Sequence, residues 1–474
     1  MENSIGRGGI EENILAILDA SETKENRDAN DDRIAFLEAV RAASIVPESG
    51  IPPTNKMCAA VFRILRVGKS LELIMPSFQL LNELDKRYPR LYLSGSDRSK
   101  SSSSAPLELV LVKEAWSPFV ADLGTSSSEK EVADKNLGGP FDSSGFHLLI
   151  QDLAEVARDA NFKTLDTKTL GSMLVFQYLL NVLEGDMLPR KSGETMNWTL
   201  LRESLLNMVL ISLQGSRKLN CKVLVRDCLT VMCGLYQIQS TFSNDPTYLE
   251  TSVAKPSDNC DPAVAVALPE IGNNTCIAVQ KLLTLIMELD MSKKEADMQG
   301  YTTRADGVRT PLIEVILDEL TYNDEILSPF FQVFNDPKWK LEIILQYIWK
   351  YTPKPPVRTR RSNGSTDDAT LSGALKCFSS TTSTKSIIKK IGIEVIQLLL
   401  AHAFKAHLFL SSRKRPALGD PDSKEDVRDN PLVEICENMI SAFNSLRRVD
   451  ENMEVLSFGK EALFTAATIL STKS

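Results

Sequence analysis

The sequence predicts an all-α protein, arranged as a degenerate helical solenoid with polar loops between its helices. Three observations carry this. Apolar residues recur at spacings of three and four along most of the 474 residues, the mark of helices with one buried stripe. Strand-like alternation is almost absent. No strict repeat of the tetratricopeptide or ankyrin kind recurs, so each helix pair must borrow a neighbour to cover its apolar face. A compact multi-helix bundle is the alternative packing.

Composition is consistent with a folded chain. At roughly 150 residues per domain, the length allows about three units or one extended array. A hydrophobic content of 43% with 24% charged residues is that of an ordinary globular protein. The formal net charge of -8 and pI near 5.3 exclude a chain that wraps nucleic acid over its whole surface, because phosphate binding needs a broad basic face. No apolar N-terminal core follows MENSIGRGGI, and no uninterrupted apolar run approaches the ~18 residues of a membrane span, so an intracellular protein is expected. Eight cysteines without a CxxC pair predict reduced thiols and no structural disulfide.

Taken in order, residues 1–93 hold N-terminal helical repeats with stripes at Ile10, Ile14, Leu15, Ile17 and Leu18, then Ile34, Phe36, Leu37 and Val40, then Met57, Val61, Ile64 and Leu65. Thr54 follows Pro52-Pro53 as an N-cap, and Pro76 is expected to kink or split the next helix. Residues 94–142 form a flexible linker, rich in Ser and Gly, with one short element, LELVLVKEAW, that suits a strand or a helix equally. Residues 143–236 resume helical periodicity through Phe146, Leu170, Trp198 and Leu224. The prolines and asparagines of 237–275 predict a flexible loop.

Residues 276–352 form the helical centre. They include most of the longest apolar-periodic stretch, 302–361, where Asp336 and Pro337 supply an N-cap and a first-turn proline and Pro353 ends the last helix. A basic and polar loop, 353–385, follows. C-terminal helices then occupy 386–474, with stripes through Ile387 to Leu408, Leu432 to Phe443 and Leu456 to Ile469, interrupted by a loop at 411–430.

Motifs with chemical meaning are sparse. Gly68-Lys69-Ser70 ends like a phosphate loop, but it follows a helix and lacks the upstream glycine, so Gly68 is better explained as a left-handed helix C-cap. His402 and His407 are five residues apart and cannot share a metal well, while His147 stands alone. Cys221 and Cys228 are spaced for one helix face and fit a core. Glu314, Asp318, Glu319, Asp324 and Glu325 flank an apolar stripe and read as a solvated rim rather than an acid/base pair. No nucleophile elbow or metal motif accompanies them, and neither catalysis nor a cofactor is expected.

The basic clusters carry the functional signal. Lys354, Arg358, Arg360 and Arg361 follow a PxPP tract, with weaker candidates at Arg413, Lys414 and Arg415; Arg447-Arg448 sits in a helix. Arginine can fork onto phosphate or carboxylate. The uses open to such clusters are nuclear import, a DNA-backbone contact or an acidic partner, against a solvated loop.

Several strings resemble one family. ENRDANDDRIAFLEAVRAASIVPESGIPPTNKM at 25–57, ETMNWTLLRES at 194–204, IMELDMSKKEAD at 286–297, DGVRTP at 306–311, NDPKWKLEI at 335–343, KPPVRTRR at 354–361 and AFNSLRRVDENMEVLSFGKEALFTA at 442–466 are similar to the plant negative regulators of systemic acquired resistance. The similarity spans most of the chain. It implies a nuclear, non-enzymatic scaffold of all-α, armadillo/HEAT-like solenoid form with several disordered loops. It further implies repression of pathogenesis-related genes, and membership of a structural maintenance of chromosomes complex active in the DNA damage response and recombination. The implied partners are helical protein subunits of that complex, with DNA contact at most weak or indirect, no membrane and no small-molecule substrate. A direct DNA-binding repressor using the basic loops is the alternative. The serine tracts near Ser101 and Ser126, the loop at 237–274 and the Arg413 cluster depart from the family pattern, whereas Arg358 to Arg361 lie in a matching segment.

Overall fold

The computed structural model describes residues 27–94, 108–112, 115–120, 141–158, 166–191, 198–215, 221–244, 262–306, 309–352, 370–413 and 431–473. Among these the fold is all-α, apart from one two-stranded hairpin. The chain forms two compact units, 1–312 and 313–474.

The first unit begins with α1 (Arg27–Ser44), α2 (Asn55–Val67) and α3 (Leu71–Arg87). Thr54 caps α2, its hydroxyl accepting from the Met57 amide at 3.3 Å. α3 is not split at Pro76 but runs through it. The proline lies early in the helix, where it removes one bond, and the buried Ser77 hydroxyl donates to Leu73 O at 2.7 Å in the same turn. Gly68 does end α2, yet its φ of -60° is not left-handed. Glycine is required there by close approach: a Cβ would stand 2.8 Å from both Ile64 O and Ile74 Cγ2.

The stretch read as a linker is partly built into the core. β1 (Leu91–Ser94) pairs antiparallel with β2 (Glu108–Leu111), Leu91 opposite Leu111, so the undecided element is a strand. Trp116 and Phe141 set their rings 5.5 and 6.0 Å from Phe62 of α2. Aromatics spaced this widely in sequence leave no periodicity to detect.

α4 (Ser143–Arg158), α5 (Thr167–Lys191), α6 (Trp198–Arg202), α7 (Leu205–Gly215), α8 (Cys221–Asn244) and α9 (Pro262–Met298) complete the unit. The loop expected at 237–275 is helical at both ends, because α8 continues to Asn244 and α9 starts at Pro262. An Ala/Val run before Pro269 sustains the helix where prolines suggested a break. α5 is buried almost all round from Leu170 to Leu180, packing against α2, α3, α4 and α9. Its polar exception, Gln177, donates to Ile271 O at 3.0 Å and Thr275 Oγ1 at 2.9 Å of α9.

The second unit is built from α10 (Leu312–Tyr322), α11 (Asp324–Val333), α12 (Pro337–Tyr351), α13 (Leu371–Lys376), α14 (Thr381–Ile391), α15 (Ile393–Arg413), α16 (Pro431–Val449) and α17 (Ser457–Lys473). Asp336 caps α12, accepting from the Trp339 amide at 2.9 Å, with Pro337 in the first turn. Of residues 371–385, assigned to a loop by their serines and threonines, 371–376 and 381–385 are helical; Thr370 caps α13 by accepting from the Gly373 amide at 3.1 Å. α15 also extends past 411 to Arg413. At 21 residues α15 is long and apolar enough to pass as a membrane span, contrary to the expectation from sequence. Ile396 to Ala401 are nonetheless buried within the unit, where α15 packs on α12 and α17. Its Gln397 ties α15 to the α16–α17 turn, donating to Glu454 O at 3.1 Å and accepting from the Leu456 amide at 3.0 Å.

His402 on α15 stacks on the Phe331 ring at 6.3 Å. Burial, reinforced by the charges of Lys340 and Lys405, lowers its pKa to about 4. Lys340 is itself buried, donates to Phe331 O at 2.8 Å, and is pushed down to about 8. The unfolded chain takes up a proton near pH 6.5 that folded His402 refuses, so stability is lost as pH falls from 6.5 to 4. The Lys340 penalty is fully present below pH 8 and is relieved as pH rises towards 10.5. Urea unfolding of the full chain should lose roughly 2–3 kcal/mol in the acid window, and His402→Gln should flatten that slope; an unchanged slope would assign the acid lability to other groups.

Candidate partner-contact site

The residues expected to meet a partner divide by position. Lys354, Arg358, Arg360, Arg361, Lys414 and Arg415 lie outside the described residues. Arg413 is described: it is exposed at the C-terminal end of α15, its guanidinium 4.9 Å from the Phe409 ring centroid. Ahead of the first cluster, α12 ends with Lys350 donating to Asp318 and to Thr321, each at 3.2 Å. Asp318 thus serves an ion pair on the helix rim, while Trp339, Ile343, Ile344 and Tyr347 are core. Arg447 and Arg448 are exposed on α16.

A second polar site was not foreseen. Asp290 of α9 accepts from the Arg309 guanidinium and, through its other oxygen, from the Leu312 amide at 2.7 Å. Arg309 and Asp290 are largely buried. Beside them Asp306 accepts from the Thr303 amide and hydroxyl, and Arg202 of α6 lies 3.5 Å from its second oxygen. Burial alone would raise the Asp306 pKa, but the Thr303 bonds and the Arg202 charge outweigh it and hold the carboxyl below its ordinary value. Lys293 donates to Asp306 O at 2.8 Å, and its pKa is lowered by burial and by Arg309. This network fastens residues 303–306 and 309–312 to α6 and α9. Its partners are far apart in sequence, so no local spacing reveals it; the one clue is that charges interrupt apolar stripes at Asp290 and Arg202.

The nucleophile candidates are chemically quiet. Cys58 and Cys233 are pushed up to about 12 by burial and Cys276 to about 11, so their thiols stay protonated. Cys221 and Cys228 are buried on one face of α8 as expected. His147 is buried 3.8 Å from Asp227, which also accepts from Arg158 at 2.9 Å; burial lowers the His147 pKa against the pull of that carboxylate. No His, Cys, Asp or Glu cluster suited to a metal occurs among the described residues. A cleft lined by Asp85, Arg90, Trp116 and Asn181 encloses about 70 Å³, well under the roughly 300–1,000 Å³ of small-molecule sites.

Profiles of the SNI1 middle domain and the SNI1 C-terminal domain match residues 90–336 and 352–474. Over 471 residues, 98% of this chain and 96% of the relative, the sequence is 46% identical to the negative regulator of systemic acquired resistance SNI1 of Arabidopsis thaliana. The chain belongs to the SNI1 family. No solved structure matches it. Arg202, Asp290, Asp306 and Arg309, which meet in this network, each lie in one of the strings that carry the SNI1 resemblance.

Asp290→Ala should lower stability by about 3 kcal/mol, since it strands a buried guanidinium and leaves the Leu312 amide without its acceptor. Arg309→Met should cost less, because Asp290 keeps the Leu312 amide. Urea midpoints of the two variants, measured side by side, decide the order; a larger loss for Arg309→Met would contradict it.

Proposed function

We propose that this chain is a negative regulator of systemic acquired resistance that acts without catalysis, as a nuclear helical scaffold holding other proteins. The observation that carries the reading is near full-length similarity to a regulator of that name. Two helical units and thiols held protonated are consistent with binding rather than turnover. At finer grain, the family resemblance supports repression of pathogenesis-related genes and service as a subunit of a structural maintenance of chromosomes complex in the DNA damage response and recombination.

Affinity purification of the tagged full chain from nuclei tests this: a salt-tolerant complex with another helical protein is expected, and the absence of any stable nuclear protein partner would sink the reading. The exposed Arg413 and the basic runs beside it favour a second reading, a repressor that contacts DNA directly. Its affinity would fall steeply as salt rises, and no binding at low salt would remove it. The triple change Arg358→Glu, Arg360→Glu and Arg361→Glu should leave the circular dichroism spectrum and Tm unchanged while reducing nuclear import or partner recovery several-fold; unchanged location and unchanged partners would retire that cluster.

A further inference from the structure

The cleft between α3, β1 and α5 is too small for a cofactor, yet two of its charged groups have no counterpart. Asp85, near the end of α3, lines it and faces the hydroxyl of the fully buried Tyr178. Burial pushes the Asp85 carboxyl up to about 6 against the pull of that hydroxyl, and no cation among the described residues draws it back. Arg90 also lines the cleft, and its buried Nη1 has no hydrogen-bond acceptor among the described residues. The second carboxylate, Asp186, is by contrast already engaged, accepting from the Leu205 amide at 2.8 Å and pairing with Arg190 at 3.3 Å. Trp116 stacks on Tyr178 at 6.4 Å and is half-buried where it lines the same cleft.

Gly185 indicates that the space is kept open. It stands inside the 25-residue α5 and lines the cleft, and a Cβ added there would meet nothing within 4 Å. Glycine weakens a helix relative to alanine, and no close approach requires it here. A larger side chain would instead fill the cleft. Apolar surface flanks the opening: Leu188, three residues on from Gly185, is 51% exposed, and Leu111, paired across the strands with the cleft-lining Leu91, is 41% exposed.

Charge and size indicate the occupant. An unpaired carboxylate beside an indole suits an ammonium or guanidinium, while an arginine N–H without an acceptor suits a carbonyl oxygen. One lysine or arginine residue of a polypeptide carries both groups. A simple organic cation would satisfy Asp85 but would bring no carbonyl to Arg90 and cover neither leucine. We infer that the cleft receives a single basic side chain from a segment of a partner protein, with its cation between Asp85 and Trp116 and its main-chain carbonyl on Arg90.

This inference rests on the scaffold reading and adds the chemistry of one contact. The probe is the blocked tripeptide Ala-Lys-Ala, titrated into the full-length chain with isotope-labelled tryptophans; there are four, and Trp116→Phe identifies the indole signal of Trp116. Blocked Ala-Glu-Ala and butylammonium serve as controls. The Trp116 signal should shift saturably with Ala-Lys-Ala, at higher concentration with butylammonium, and not with Ala-Glu-Ala. Gly185→Leu and Asp85→Asn should each weaken tripeptide binding at least ~10-fold. Tm should not fall in either, because the leucine Cβ enters open space and the asparagine replaces a carboxylate that burial disfavours. No shift, an equal response to Ala-Glu-Ala, or indifference to Gly185→Leu or Asp85→Asn would each overturn the proposal. Butylammonium binding as tightly as the tripeptide would assign the cleft to small cations and overturn the partner. Nuclear complexes recovered unchanged with Gly185→Leu would reject the cleft as a contact and leave the scaffold reading standing. Recovery of no complex with the wild type would reject the scaffold reading itself, whereas the titration reports on the cleft alone.

Discussion

A helix that is apolar on every side can exist in water only if other helices surround it, and each unit of this protein is arranged around one such helix. In the first unit it is α5, where Leu170 to Leu180 are almost wholly enclosed; in the second it is α15 from Ile396 to Ala401. The neighbours need only one apolar stripe each, because the central helix supplies the opposing surface. Both central helices carry a buried glutamine, Gln177 or Gln397, satisfied by backbone of an adjacent element. Apolar burial is non-directional, so these amide bonds are what fix the rotation of the central helix against its neighbour.

The same logic explains why chemistry is confined to the surface. With their centres filled by helix, the units offer loops, rims and end faces for contact. Several ionisable groups that enter the interior are tied down: Asp290 holds Arg309 and an amide, Asp227 holds Arg158, and Lys340 is bound to Phe331 O. A scaffold of this kind is defined by the shape it holds, and the polar networks set that shape at the joints between helices.

Much of this was legible in the sequence where the signal is local. The helix starts at Thr54 and Asp336, the one-faced cysteines of α8, and the core character of Trp339 and Tyr347 follow from neighbours three or four residues away. What was not legible depends on distance. Gly68 is a glycine because Ile74 approaches from the next helix, and the β1 strand exists because β2 lies beside it. Phe141 is core and Trp116 half-buried because Phe62 receives them. Composition also misled at 262–275, 371–376 and 381–385, where tertiary packing overrides residues that favour loops. For the candidate site, sequence singled out Arg413, which is exposed, but not the Asp290 network, whose members become neighbours only when α6, α9 and residues 303–306 and 309–312 meet.

The cysteines have a use that follows from their inertness. Cys58, Cys228, Cys233 and Cys276 are distributed over α2, α8 and α9, and each is buried with its thiol pKa raised by that burial. A thiol reagent can reach them only when the surrounding helices part. Their modification rates are therefore a set of native gauges, one for each region of the first unit, that read how often that region opens and need no label to be introduced.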